Sequence, residues 1–324
     1  MLRRMAVAAI LLSSVALHPA LAQQGARAFH FAAFGDMPYN VPDDYEKVDR
    51  LIARINADRP AFSIHVGDMI SGGVPCSNEI LELSARQLEA VEAPLVYTPG
   101  DNEWTDCHRA RGGGFDPLER LAKVRALMFP KPGQSLGKTQ ISVESQGLLM
   151  KERFAPYVEN VRFSKNDVQF ATLHVVGSNN NLDEKRPGAA EEFRARDAAN
   201  AVWIEHAFKA ARNEDSRAVV LAWQANVHHR GRKVEEYSPA FAQTITSVAS
   251  YAKDFGKPVL VIYGDYHFFE VARFLDMDGK PAPHVTRLQV YGDKSVHAVR
   301  VTVDPDAPGV FSFAPLIAPE NGLP

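Results

Sequence analysis

Four glycine-aspartate pairs constrain this chain more than any other feature. Phe34-Gly35-Asp36, Val66-Gly67-Asp68, Pro99-Gly100-Asp101 and Tyr263-Gly264-Asp265 each end a short apolar run of strand character, and His267 stands two residues past the last. Asp36 and Asp68 are 32 residues apart, Asp68 and Asp101 33, near the roughly 30 that one strand-helix-strand unit occupies. Parallel strands at that spacing carry their carboxyl ends to one sheet edge, where open α/β folds place ligands. Glycine before each aspartate is expected there, because a side chain would crowd the turn where the carboxylate must converge on an ion. Acids gathered in this way repel unless cations sit among them. The pattern predicts a metal site.

Periodicity supplies the intervening elements. A strand at 30–35 is followed by a helix from Asp44 to Asp58, whose Val48, Leu51, Ile52 and Ile55 recur at helical spacing, with Asp43 or Asp44 as its cap. A strand at 61–67, a helix at 78–92 and a strand at 94–98 complete a doubly wound βαβαβ opening. After it come the Gly112-Gly113-Gly114 loop, a helix from Pro117 to Met128, and an irregular Pro/Gly/Ser-rich stretch at 130–147 of the kind that shapes substrate access. Strands at 161–163 and 168–176 read as a hairpin around Ser164-Lys165-Asn166-Asp167, which implies a mixed sheet. Helices at 191–211 and 239–255 alternate with strands at 218–223 and 258–263, and runs at 286–291, 297–303 and 310–313 suggest a closing antiparallel set.

With 324 residues, 46% of them hydrophobic, the chain can bury one large core or two modest ones. A net charge of −3, a pI near 6.4 and the lack of a sustained Lys/Arg stripe argue against a nucleic-acid surface and for a small partner. Arg3 and Arg4, the apolar stretch from Ala6 to Ala16, and Ala20-Leu21-Ala22 read as a secretory signal cleaved after residue 22. An uncleaved anchor is the rival reading, but the apolar run falls short of the roughly 20 residues a span needs. The expected mature chain, 23–324, is one exported domain, periplasmic or secreted, with no membrane span. In such a compartment the two cysteines, Cys76 and Cys107, in loops leaving adjacent strands, are expected to bridge. The alternative is two buried thiols.

The order Gly-Asp36, Val-Gly-Asp68, Pro-Gly-Asp101-Asn102-Glu103, a residue ending an apolar strand, and Gly-Asp265-Tyr-His267 resembles the calcineurin-like metallophosphoesterases over about residues 29–300. That resemblance implies an α/β fold of two mixed β-sheets packed as a sandwich and flanked by helices, with two divalent metal ions at the strand ends. It implies that Asp36 binds the first ion, that Asp68 bridges both, and that Asp101 stands at a second-metal asparagine. Asn102 falls where the family has a histidine assigned to proton donation or phosphate contact. Gln224 matches a histidine after the fourth motif's strand, and Asp265 and His267 match the two histidines of the last motif. Asn102 and Asp68 are thus the expected catalytic residues. The expected metal ligands are Asp36, Asp68, Asp101, Gln224, Asp265 and His267.

The departures also inform. Where the family has Asp-x-His this chain has Asp36-Met37-Pro38, and proline offers no side-chain ligand. Oxygen donors at Asp101, Gln224 and Asp265 suit Mn²⁺, Mg²⁺ or Ca²⁺ better than Zn²⁺. No phosphate-cradling Gly-x-x-x-x-Gly-Lys-Ser/Thr, no His-Glu-x-x-His and no Gly-x-Ser-x-Gly occurs. Two functions remain: a metal-dependent phosphatase or phosphodiesterase acting on a small phosphorylated substrate, and a degenerate relative that binds an anionic ligand without turnover. His65 and His174, inside strands, read as satisfied core histidines. His228 and His229, near Arg230 and Arg232, read as an exposed loop pair, or else as a replacement metal ligand or a substrate-phosphate contact. Asn179-Asn180-Asn181 either lines the pocket or forms a turn.

Overall fold

The structure, a computed structural model, describes residues 27–228 and 238–324. The expected signal segment and the residues His229, Arg230 and Arg232 lie outside the described residues. Strands β1 (Phe29–Phe34), β2 (Ser63–His65) and β3 (Leu95–Tyr97) pair in parallel, as the Gly-Asp spacing predicts. On the other side β1 pairs antiparallel with a late strand at Ala298–Val303, and that strand with Phe311–Leu316. A second, seven-stranded sheet holds the hairpin Val161–Lys165 and Val168–Thr172, then Ala218–Ala222, Val259–Tyr263, Pro281–Gln289 and Glu270–Leu275, with Glu144–Ser145 at its far edge. The expected closing antiparallel set is therefore divided. The strand Pro281–Gln289 lies parallel to Val259–Tyr263 in the larger sheet, while Ala298–Val303 crosses to the smaller one.

Period-two alternation builds the sandwich. In the strand Ala218–Ala222, Ala218, Val220 and Ala222 face the other sheet, while Val219 and Leu221 face the helices outside. An aromatic seam joins the sheets: Phe31 stacks on Phe62 with centroids 4.9 Å apart, and Phe62 meets Phe170 edge-on at 5.0 Å. The helices Ala189–Asn213 and Ala242–Phe255 cover the larger sheet through Trp203, Ile204, Phe208, Ile245 and Val248. The helix Asp43–Asp58 covers the smaller sheet with Val48, Leu51, Ile52 and Ile55, the face its spacing predicts, and the helices Asn78–Leu88 and Pro117–Met128 lie beside it. The four layers leave the carboxyl ends of the parallel strands of both sheets free at one edge.

Neither Asp43 nor Asp44 caps the helix Asp43–Asp58. Its N-cap position is Pro42, without a side-chain cap. The Asp44 carboxylate instead accepts hydrogen bonds from the backbone N–H groups of Tyr39 (3.2 Å) and Asn40 (2.7 Å) and an ion pair from Lys47. It fastens the loop that follows Asp36.

Candidate metal centre

Each Gly-Asp pair leaves its strand as expected, and the structure gives the glycines a sharper role than freedom at the turn. A Cβ on Gly264 would stand 2.1 Å from the Asp36 Oδ2 atom, and one on Gly100 would stand 2.1 Å from Asp68 Oδ1. Gly177 does the same for Asp101, at 2.8 Å from its Oδ2. The glycine of one motif thus makes room for the carboxylate of another. Asp36, Asp68 and Asp265 hold φ values of 55°, 52° and 77°, left-handed backbone that aspartate tolerates better than most residues.

Asp36, Asp68 and His267 bring one ligand atom each within 4.8 Å of one another. Asp36 Oδ2 accepts the backbone N–H of Asp265 at 2.8 Å, whereas its Oδ1 is buried with no hydrogen-bond partner. An orphaned buried carboxylate oxygen fits a cation. Burial lowers the pKa of His267, which favours the neutral imidazole that can coordinate. Asp101 and Asp265 line the same polar cavity, of about 330 Å³, together with Asp68, Asn102 and His267. Asp265 accepts the N–H of Asn226 (2.9 Å), and Asp101 accepts the hydroxyl of Ser178 (2.6 Å). Gln224 is buried under Asp68: its Nε2 donates to Asp68 Oδ2 at 3.2 Å, and its Oε1 accepts the N–H of Gly177 at 2.6 Å.

The electrostatics are those of a carboxylate cluster short of positive charge. Desolvation, reinforced by repulsion among the neighbouring acids, pushes the pKa values of Asp36 and Asp68 well above the carboxylate range. Desolvation likewise raises Asp101 to about 6, and Asp265 and Glu103 to about 7. Divalent ions at these oxygens would remove both penalties. The donor set, rich in carboxylate oxygen with one imidazole, fits such ions.

Asn102 reaches Asp68 twice, through its backbone N–H (3.1 Å) and its Nδ2 (2.8 Å), and Nδ2 also donates to the Tyr39 hydroxyl at 2.7 Å. That hydroxyl donates to Asp68 Oδ2 at 2.7 Å, and the Tyr39 ring meets His267 edge-on at 4.6 Å. Tyr39 escaped the reading of the sequence because one aromatic residue three positions past Asp36 carries no periodic signal. Glu103 is fully buried and accepts from the Tyr97 hydroxyl and the Gly100 N–H, bracing the Asp101 turn.

The disulfide forms as expected: Cys76 and Cys107 are bonded, with Cα atoms 5.7 Å apart. Both sulfurs pack within 3.5 Å of the Asn102 carbonyl oxygen. His65 and His174 are core residues. His65 accepts the Gly67 N–H, and His174 bonds Glu159, which Arg125 also holds; burial keeps the two imidazoles neutral at neutral pH, with pKa values of about 3 and about 4. His228 is buried rather than exposed, with Nε2 beside the Leu275 backbone. Residues 178–181 form a turn in which all four φ values are left-handed. Its Ser178 serves Asp101, while Asn180 anchors the turn to Val176, Arg196 and Ala240.

No protein-family model and no curated protein matches the sequence. Among solved structures the chain is similar to PhoD, with a TM-score of 0.57 and 12% identity over 89% of this chain and 68% of that one. Two others align at TM-scores too low to bear on the argument. Purple acid phosphatase PPD1 from yellow lupin seeds gives 0.49 at 12% identity, over 90% of this chain and 53% of that one. GAP50, the anchor in the inner membrane complex of Plasmodium, gives 0.48 at 11%, over 89% and 88%. The paired five- and seven-stranded sheets and the likeness to PhoD give this chain the metallophosphoesterase fold.

Proposed function

We propose that this protein is an exported, metal-dependent phosphoric-ester hydrolase whose site takes two divalent cations. One observation carries the reading: the buried carboxylates of Asp36, Asp68 and Asp101 and the half-buried one of Asp265 leave four strand ends, the last three lining one polar cavity, and an oxygen of the first, Asp36 Oδ1, is buried with no hydrogen-bond partner. Asp36, Asp68 and His267 would hold one ion, and Asp68, Asp101, Asp265 and Gln224 the other, with Asp68 shared. Such ions, when bound, polarise a phosphoryl oxygen and make water a nucleophile near neutral pH. Asn102 fixes the Asp68 carboxylate and the Tyr39 hydroxyl; an amide lends hydrogen bonds, not protons. Residues 1–22 would be removed as a signal, leaving 23–324 as the phosphoesterase domain, and the disulfide is in keeping with an oxidising compartment. Among the described residues no helix is long and apolar enough to cross a membrane.

A second reading, binding of an anionic ligand without turnover, draws on Pro38 in place of a ligand and on Gln224, whose oxygen is engaged by Gly177. Hydrolysis of p-nitrophenyl phosphate and bis(p-nitrophenyl) phosphate under added Mn²⁺, Mg²⁺ or Ca²⁺ separates the two. The hydrolase reading expects turnover that Asp68→Ala abolishes. Activity unchanged in that variant would refute the shared-carboxylate site, and phosphate binding without turnover in the wild type would select the second reading.

A further inference from the structure

The cavity beside the carboxylates also has a basic wall that the metal site does not use. Arg109 and Arg111 line it with Asp68, Asp101, Asp106, Asp265 and His267. The two guanidiniums differ. Arg109 is paired with Asp106, and its Nη2 donates to Ser178 Oγ at 3.0 Å, so its charge is matched and its position held. Arg111 is exposed and makes no hydrogen bond or ion pair among the described residues.

The backbone that presents Arg111 is fixed on both sides. Cys107 is tied to Cys76, the Gly112 carbonyl accepts the Cys76 N–H at 2.9 Å, and the Gly114 N–H reaches the Arg109 carbonyl at 3.2 Å. Gly112 is packed so closely that a Cβ would stand 2.7 Å from the Asp106 carbonyl oxygen. A guanidinium with no protein partner, presented into a polar cavity from an anchored loop, loses less freedom on binding an oxyanion than one on a mobile chain. Cations among the carboxylates would match the acidic side and leave the charge of Arg111 for the ligand. The cavity, about 330 Å³, stands at the small end of the range for ligand sites.

Building on the hydrolase reading, we propose that Arg111, backed by Arg109, is a subsite for a second anionic group, so that the preferred substrates are small phosphoesters whose leaving group itself carries a carboxylate or a phosphate. Arg111 is then a specificity residue. Matched probes test it on the Mn²⁺-loaded full chain. For the carboxylate arm, kcat/KM is compared between 3- and 4-carboxyphenyl phosphate and their carbamoyl analogues, which withdraw electrons but carry no charge. For the phosphate arm, propane-1,3-diyl bisphosphate is compared with propyl phosphate.

A charge-assisted bidentate contact predicts a preference of about tenfold or more for the doubly anionic member of at least one arm. Arg111→Ala should collapse that ratio to about one, and Arg111→Lys should restore part of it; the arm that responds identifies the group. Wild-type ratios near one in both arms overturn the proposal. So does an Arg111→Ala variant that slows both members of a pair equally, since that places the arginine on the scissile phosphoryl group. If no probe turns over, the hydrolase reading fails separately, and calorimetric binding of 4-phosphonobenzoate and 3-phosphonopropyl phosphate, against phenylphosphonate and propylphosphonate, decides the subsite. Tighter binding of either doubly anionic ligand that Arg111→Ala removes supports it, and equal affinities within both pairs overturn it.

Discussion

Gly264→Ala is the most selective perturbation of the carboxylate cluster. The three atoms nearest a Cβ there all belong to the Asp36 carboxyl group, with Oδ2 at 2.1 Å, Cγ at 2.7 Å and Oδ1 at 2.8 Å. The backbone of Gly264 is not left-handed, so alanine is acceptable to the chain itself. Relief requires the Asp36 side chain to swing away, which breaks its 2.8 Å bond from the Asp265 N–H and moves Oδ1 out of the cluster. Losing the hydrogen bond that orients a ligating carboxylate typically costs about 10- to 100-fold in metal affinity, so displacement should weaken metal binding by roughly that much. Overpacking of this kind lowers stability by about 1–3 kcal/mol, within reach of a folded variant. Mn²⁺ titration by calorimetry measures the effect, with Gly309→Ala as control, because a Cβ there meets nothing within 4 Å. Wild-type Mn²⁺ affinity in Gly264→Ala would refute the convergence of Asp36 on an ion.

Three further outcomes follow from the same chemistry. Thermal denaturation across a metal panel should show Mn²⁺, Mg²⁺ or Ca²⁺ stabilising the fold more than Zn²⁺ at matched free concentration, and Asp265→His should shift the order toward Zn²⁺; a Zn²⁺ preference in the wild type would count against the oxygen-rich site. Reduction of the Cys76–Cys107 bond, which closes a span of 31 residues, removes roughly 3–4 kcal/mol in the chain-entropy model. It should weaken Mn²⁺ binding before the fold is lost, and two free thiols in protein from an oxidising compartment would end the idea. The metal-free protein should gain stability as pH falls from about 7 to about 5. Asp101, Asp265 and Glu103 have folded pKa values of about 6, 7 and 7, above their ordinary ones, so the native state holds the extra protons and acid favours it. The buried neutral imidazoles of His65 and His174, with pKa values of about 3 and about 4, and the lowered ones of His267 and His297 oppose this over the same window, because the unfolded chain takes up protons there. The five raised acids Asp36, Asp68, Asp101, Glu103 and Asp265 outnumber them. Glu159 opposes it only in stronger acid, because Arg125 and His174 hold its pKa at about 2. Saturating Mn²⁺ should flatten the profile, and a melting temperature that rises with pH in chelator would contradict the sign.

Much of the fold was legible because local pattern and tertiary demand agree. The 32- and 33-residue spacing is the length of a βαβ unit, and the parallel β1, β2 and β3 realise it. Val48, Leu51, Ile52 and Ile55 mark one helical face and bury that face. What stayed hidden depends on partners distant in sequence. The strand Glu270–Leu275 alternates too weakly to be seen alone, and it exists by pairing with Pro281–Gln289. Strand alternation assigns a face, not a sheet, so nothing local separated Pro281–Gln289 from Ala298–Val303. In the site, the four Gly-Asp pairs announced the carboxylates. The contacts of Tyr39 with Asp68 and of Ser178 with Asp101 span 29 and 77 residues and have no local signature.

The most direct test of the central claim is the metal stoichiometry of the protein, measured by calorimetric Mn²⁺ titration after chelator treatment and checked by elemental analysis. Two equivalents per chain, falling below one in Asp68→Ala, are the result this account predicts. A wild-type protein that binds no Mn²⁺, Mg²⁺ or Ca²⁺, or an Asp68→Ala variant that still binds two equivalents, would contradict it.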